Sequence, residues 1–390
     1  MPESCVLAGV DIGGTKCAVC IGRMQGPGVT IIGKRRFATP KTPTAALAHM
    51  MESLDGLAAD HAVTELDAIG ISCGGPLDSR EGLILSPPNL PGWDHIDVVT
   101  PFRTQFNAPT ALQNDANACA LAEWRWGAGR GCRNMLFLTF GTGMGAGLIL
   151  DGRLYSGAND LAGEVGHVRL ADDGPLGYGK AGSFEGFCSG GGIAHQARAV
   201  AEREIARGRA PSYCPTLAHL PDVTAETVGK AARSGDPAAL EVFDTAARYL
   251  GRGLAMLIDI LNPERIVIGS IYARQRSLLE SRALSTMREE ALSPALAVCQ
   301  VAPASLGEQV GDLAVFAAAQ WGVQADFVVR GPLLGPEVMP VRVDDPPFRL
   351  LAEPAERVAV PQIDVLDRVE RSDRQFLQDV GSFDLAPQAV

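Results

Sequence analysis

No apolar run in this sequence reaches the roughly 20 residues that cross a bilayer, and no G-x-x-x-x-G-K-[ST] phosphate loop occurs anywhere in it. Basic residues are also in short supply. The 34 Lys and Arg are outnumbered by 45 Asp and Glu, a net charge of −11, which is the wrong sign for a protein that must displace counterions from nucleic acid. The opening residues MPESCVLAGV carry no basic flank and no cleavage site. These shortages predict a cytoplasmic chain with neither membrane nor nucleic acid as partner. Cysteine gives no framework either. The nine thiols, an odd number, are scattered at 5, 17, 20, 73, 119, 132, 188, 214 and 299, mostly in apolar segments. Cys17 and Cys20 form a C-x-x-C, but on a strand pattern that suits a metal fork poorly, so buried free thiols are the reading.

What is present is ordinary globular material in quantity. The 390 residues, 46% hydrophobic and 20% charged, suffice for two packed domains. Apolar β-rich runs end in glycine at 6–14, 68–75, 134–143 and 265–270, and between them lie helical periodicities, for example at 45–59 and 236–261. Alternating strands and helices predict an α/β architecture. The runs starting near residues 5 and 134 share a plan, each a strand, a glycine turn and a second apolar run, which suggests duplicated domains. From Gln324 onward prolines at 332, 336, 340, 346, 347, 354, 361 and 387 interrupt any period, which predicts an appended tail over 323–390.

Two glycine motifs stand at corresponding places, D-I-G-G-T-K at 11–16 and F-G-T-G-M-G-A-G at 140–147. Glycine lets backbone approach a ligand closely, and successive N–H groups can form an anion-binding hollow. Either motif alone reads more readily as a plain tight turn; the pair at corresponding places favours a phosphate clamp. The second also fits the dinucleotide fingerprint from Gly141, but that motif must open a helix, whereas A-G-L-I-L-D-G predicts a hairpin. In L-Q-N-D-A-N (112–117), Asn114 and Asp115 stand where a strand yields to a helix. Asp115 there is either a helix N-cap or a base that takes a proton from a hydroxyl as it attacks phosphorus. Asn89, among the prolines of S-P-P-N-L-P-G-W (86–93), could fix a hydroxyl or be an ordinary loop residue.

These motifs with A-G-E-V-G-H (162–167) and N-P-E-R-I-V-I-G (262–269), in this order and spacing, resemble the ROK family of sugar kinases and repressors over about residues 5–322. The resemblance implies a two-lobed actin-like, hexokinase-type ATPase fold, with duplicated ribonuclease H-like domains facing a cleft. The lobes would be 1–112, completed by a helix at about 305–322, and 113–304. It implies a glucokinase-like homodimer that phosphorylates a hexose at its 6-hydroxyl with ATP and magnesium. By motif position, Asp115 would be the general base, and Asn89, Asn114, Glu164, His167 and Glu185 would hold the sugar. Asp11, Gly13, Gly14, Thr15, Lys16, Thr142 and Gly143 would surround the triphosphate and its magnesium, with Gly269 near the adenosine.

The sequence departs from the family at one place. Many members carry C-x-C-G-x-x-G-C-x-E after G-E-[IV]-G-H, and the cysteines bind zinc with the histidine. Here Leu176, Tyr178 and Ser183 occupy the cysteine positions. No structural zinc is therefore expected, and Tyr178, Phe184 and local packing are left to hold the loop. His167 reads as a sugar ligand or a core histidine. An N-acetylhexosamine or fructose kinase is an alternative within the class. A sugar-sensing regulator or a non-catalytic sugar binder is an alternative outside it. A regulator would need a helix-turn-helix ahead of the first strand at residue 6, and a silent binder would not need Asp115 with both glycine clamps.

Overall fold

A computed structural model describes residues 4–330. In chain order the elements are β1 (Ser4–Ile12), β2 (Lys16–Gln25), β3 (Gly28–Ala38), α1 (Pro43–Asp60), β4 (Ala68–Cys73), β5 (Leu77–Asp78), β6 (Leu83–Leu85), β7 (Asp94–Asp97), α2 (Val99–Phe106), β8 (Thr110–Asn114) and α3 (Asp115–Trp126). They continue with β9 (Met135–Phe140), β10 (Met144–Leu150), β11 (Arg153–Tyr155), β12 (Leu176–Gly177), β13 (Lys180–Ala181), α4 (Phe184–Cys188), α5 (Gly190–Ala206), α6 (Ala225–Arg233) and α7 (Pro237–Leu261). The last are β14 (Arg265–Ile268), α8 (Ile271–Arg274), α9 (Arg276–Glu290), α10 (Ser293–Val298), β15 (Gln300–Pro303) and α11 (Val310–Arg330).

Two five-stranded sheets share one plan. The first runs β3-β2-β1-β4-β8 and the second β11-β10-β9-β14-β15. In each, the first three strands form an antiparallel meander and the last two lie parallel to the first strand in sequence. The D-G pair at 151–152 closes the β10–β11 hairpin, with Asp151 at φ +51° and Gly152 at +72°. That is the geometry a two-residue turn with both residues left-handed requires. A strand rather than a helix thus follows the glycine motif at 140–147, which removes the dinucleotide reading.

Local signals set the helix ends. The Asp236 carboxylate accepts from the amides of Ala238 and Ala239 at 2.9 and 3.1 Å, Pro237 takes the first position of α7, and Asn262 ends it at φ +42°. The final helix of each half packs on the other half's sheet. α3, which follows β8, lies on β9 and β10, while α11, which follows β15, lies on β1, β4 and β8. Glycine permits the contact on both sides: a Cβ at Gly70 would overlap the Val315 carbonyl, and one at Gly147 would overlap the Ala120 side chain and the Ala116 carbonyl. A core that includes Leu7, Leu121, Phe137 and Phe316 joins the halves, and each half has a further core of its own. α11 continues to Arg330, past residue 323 where the sequence reading placed the start of the tail. The remainder of that stretch, 331–390, lies outside the described residues.

Candidate active site

A cleft cavity of about 640 Å³, in the range of small-ligand sites, opens between the halves. Asn89, Asn114, Asp115, Thr142, Gly143, Glu164 and Gly269 all line it. The structure thus gathers residues that lie up to 180 positions apart (89 to 269) around one space. Glu185 sits beneath the second glycine turn, where its carboxylate accepts from the Met144 amide at 3.0 Å. His167 is exposed, with its ring edge-on to Tyr178 at 5.0 Å. Asp11, Gly13, Gly14, Thr15, Lys16, Glu185 and His167 are not among the lining residues. Gly14 nevertheless abuts that wall, since a Cβ there would overlap the Asn89 carbonyl oxygen.

The β8–α3 junction removes the capping reading of Asp115. The cap is Asn114, whose side-chain oxygen accepts from the amides of Ala116 and Asn117 at 2.9 and 3.4 Å. Asp115 is the first residue of the helix, and one carboxylate oxygen accepts from Ala116 N–H at 2.8 Å. Asp115 itself lines the cleft. From behind, the Gln113 side-chain oxygen accepts from the Asn114 amide and from Asn117 Nδ2, at 3.1 and 3.3 Å. This fixes the direction in which Asp115 projects. Although the Asp115 side chain reaches solvent through the open cleft, protein packed around it raises its carboxyl above the ordinary value. The Ala116 amide pulls the other way, and the charge of Glu164 adds to the rise.

Asp11 is the next-to-last residue of β1. Burial first, then the charges of Asp115 and Asp312, push its carboxyl up to about 6, against Arg36 and Lys34. Among the described residues neither Asp11 nor Asp115 forms an ion pair, while Asp312 is bound by Lys34 at 2.5 Å. The site therefore holds an excess of negative charge. The two glycine turns flank it. In the first, Gly13 N–H donates to the Lys16 carbonyl at 3.2 Å and Thr39 Oγ1 donates to the Gly13 carbonyl at 2.6 Å. In the second, Gly141 N–H donates to the Gly143 carbonyl at 3.2 Å, and Gly145 N–H donates to Thr139 Oγ1 at 3.1 Å.

The loop that lacks cysteines is held by hydrogen bonds. β12 and β13 pair through a turn in which Tyr178 and Gly179 take φ of +46° and +75°. Leu170 N–H donates to the Gly182 carbonyl and Phe184 N–H to the Val168 carbonyl, each at 2.8 Å. Lys180 Nζ donates to the His167 carbonyl at 2.7 Å. Ser183, fully buried in a cysteine position, caps α4 by accepting from Gly186 N–H at 3.1 Å. Phe184 is buried behind it, whereas Tyr178 stands largely exposed. The anchoring thus falls on Ser183 and Phe184 more than on Tyr178. Cys188 is buried at the other end of α4, and its thiol donates to the Ala246 carbonyl at 3.4 Å. Among the described residues no three His, Cys, Asp or Glu side chains converge as a metal-binding group.

Other lining residues escaped sequence reading. Ser270 and Arg274 wall the Gly269 end of the cleft, and Arg274 donates to Ser270 Oγ at 3.0 Å and reaches Glu308 at 3.5 Å. Glu123, fully buried on α3, accepts from the amides of Ala128, Ser305 and Leu306 at 2.7, 3.0 and 3.0 Å. It thereby fastens the segment that leads to Gly307 and Glu308 in the cleft. A glutamate within the alanine-rich face A-N-A-C-A-L-A-E was the available signal.

Comparison with known proteins adds the following. A family model described as "ROK family" matches residues 7–321. A glucokinase of Streptomyces coelicolor is 32% identical over 267 residues, 67% of this chain and 80% of that protein. An N-acetylgalactosamine kinase of Shewanella sp. strain ANA-3 is 32% identical over 281 residues, 70% and 83% of the two chains. The crystal structure of a ROK family glucokinase from Streptomyces griseus in complex with glucose and AMPPNP superposes with a TM-score of 0.65 at 29% identity, covering 82% of this chain and 99% of that one.

Proposed function

We propose that this chain, which belongs to the ROK family and has its two-lobed actin-like fold, is an ATP-dependent hexose kinase that acts on the sugar 6-hydroxyl, with glucose as preferred substrate. The observation that carries this reading is the β8–α3 junction: Asn114 takes over the capping, which leaves Asp115, its carboxyl held above the ordinary value, lining a cleft walled by a glycine turn. Asn89 and Glu164 on the two sides of the cavity, with Glu185 and His167 on the neighbouring loop, supply the amide and carboxylate partners that a neutral polyol requires. The Asn114 side-chain oxygen is spent on the helix, so its contribution to the sugar is as a donor through Nδ2.

In the reaction, the sugar hydroxyl proton passes to the Asp115 carboxylate as the hydroxyl oxygen attacks the γ-phosphorus. The new O–P bond forms as the bond to the β-phosphate oxygen breaks and ADP leaves. The residues present fit a magnesium ion. Asp11 and Asp115 are hard oxygen donors, the second close enough to raise the proton affinity of the first, and magnesium takes one or two carboxylates with water and phosphate oxygens. Such an ion would neutralise triphosphate charge. Asp11 would hold it, and the turns at 13–15 and 141–143 would receive phosphate oxygens on their amides.

The test is turnover by purified protein with magnesium and ATP against hexoses and N-acetylhexosamines. Glucose should give the highest kcat/KM. A preference for an N-acetylhexosamine, which the Shewanella relative makes the second reading, would reassign the substrate. Sugar binding without ADP formation would favour a non-catalytic binder or a regulator.

A further inference from the structure

Asp160 belongs to none of the motifs, yet it lines the cleft and also a second cavity of about 810 Å³ behind it. It sits in the loop between β11 and Glu164, and its backbone adopts φ +59°, which an L side chain takes at a cost. Its carboxylate forks onto a single residue across the boundary between the halves. Ser79 N–H donates to Oδ2 at 2.8 Å and Ser79 Oγ–H donates to Oδ1 at 2.9 Å. Ser79 follows β5 in the small sheet β5-β6-β7, and the connection from β6 to β7 carries Asn89. On the other side Asp160 stands four residues before Glu164, in a loop whose Gly163 carbonyl accepts from the Ala146 amide at 2.7 Å.

We propose that the Asp160–Ser79 pair is a positioning latch that sets the spacing between the Asn89 and Glu164 sides of the sugar site. This rests on the sugar-kinase reading only in naming the ligand. Two charge-assisted hydrogen bonds from one carboxylate fix both distance and direction, and they join the two elements that bring Asn89 and Glu164 together. The nucleotide end, at Gly269 to Arg274, is not tied by them. Loss of the latch therefore weakens sugar binding and leaves nucleotide binding as it was.

The experiment compares Asp160→Ala, Asp160→Gly, Asp160→Asn and Ser79→Ala by calorimetry with glucose and, separately, with magnesium-AMPPNP. Amide exchange at Ser79 is followed in parallel without any ligand. Asp160→Gly relieves the backbone conformation while removing the carboxylate, and Asp160→Asn keeps one acceptor and one donor for Ser79. The expected result is about tenfold weaker glucose binding for the Ala and Gly variants, the scale of a lost hydrogen bond to a charged group, with AMPPNP affinity unchanged. Asn should restore most of the affinity, and Ser79→Ala with Asp160→Ala should be less than additive. Ser79 amide exchange should rise in the Ala and Gly variants. Unchanged Ser79 exchange, wild-type glucose affinity in Asp160→Gly, or equal losses for glucose and nucleotide would each overturn the latch. If wild-type protein binds no glucose, the sugar reading fails, while the exchange result still decides whether the latch exists.

Discussion

At the end of β1 the chain reads Asp11-Ile12-Gly13-Gly14-Thr15-Lys16, and at the equivalent end of β9 it reads Thr139-Phe140-Gly141-Thr142-Gly143-Met144. Strand order and sense are the same on both sides. Register differs: four residues separate the paired Ile12 and Cys17, and three separate Phe140 and Met144. A crowded carboxylate precedes the first turn, and a hydroxyl bound to Gly145 N–H precedes the second. The first turn also rests on the Asn89 carbonyl, whereas Gly141 has open space beside it. One hairpin plan has therefore been put to two uses. On the proposed reading the N-terminal copy would add to its phosphate-facing amides a carboxylate for a cation and a support for Asn89, whereas the C-terminal copy would offer amides alone.

Five substitutions and one chelation experiment break or sharpen this division. Asp115→Asn, which alters neither turn, should lower turnover by about 10²–10⁴, the worth of a general base. Binding of sugar should persist, because Asn114 and not Asp115 caps α3, and turnover within a few-fold of wild type would dismiss Asp115 as the base. Asp11→Asn tests the cation assignment and should reduce activity by about 10–100-fold, the range for removing a carboxylate that supports a bound metal. It also carries a pH signature. With Asp11 held near 6 in the fold against 3.8 for the free side chain, its favourable term is full below the lower value and is lost as pH rises through 6. The variant should thus melt about 1–2 °C above the ligand-free wild type at pH 8, for roughly 1 kcal/mol after allowance for solvent in the cleft. At pH 4 the gap should close; a gap that widens in acid would reverse the sign.

The glycines then separate the two turns directly. Gly141→Ala meets no protein atom within 4 Å, so any loss is a collision with ligand. ATP affinity should drop about tenfold with sugar affinity intact. Gly14→Ala should instead displace Asn89 and weaken sugar binding by a similar factor. If both substitutions hit the same ligand, the division of labour is wrong. The smallest effect is expected at Ser183→Ala, which removes the α4 cap at a cost of about 1 kcal/mol. Zinc-selective chelation should change neither melting temperature nor activity of the wild type, and unfolding on chelation would reveal a ligand set elsewhere.

Where local sequence decides geometry, the reading from sequence held. Asp236-Pro237 opens α7 and Asp151-Gly152 closes a hairpin because caps and left-handed turns are chosen by the residues themselves. The repeated sheet was visible as a repeated strand-turn-strand pattern, and seven of the residues the family motifs pointed to, Asn89, Asn114, Asp115, Thr142, Gly143, Glu164 and Gly269, line one cleft, while the other seven do not. What was not visible depends on partners far along the chain. Asp160 acts on a residue 81 positions away and Glu123 on amides 182 and 183 positions away, contacts for which no spacing rule exists. The choice of Asn114 over Asp115 as cap turned on a one-residue boundary, where sequence patterns are least exact. Likewise the prolines after residue 331 hid the continuation of α11 to Arg330.

The exchange of α3 and α11 between the sheets bears on how the protein is made. The face of β1 and β4 that takes Gly9 and Gly70 is closed by Val315 and its neighbours. Those residues are synthesised some 240 positions after β4 ends, on the order of ten to fifty seconds later on a ribosome. Until then the first sheet cannot complete its burial, and its strands are open to mispairing or to a chaperone. A nascent chain halted at residue 304 should remain protease-sensitive throughout, the N-terminal half included, whereas extension to 330 should protect both halves together. The last described helix would thus act as a checkpoint on synthesis, because the first sheet completes its packing only once residues 310–330 have been made.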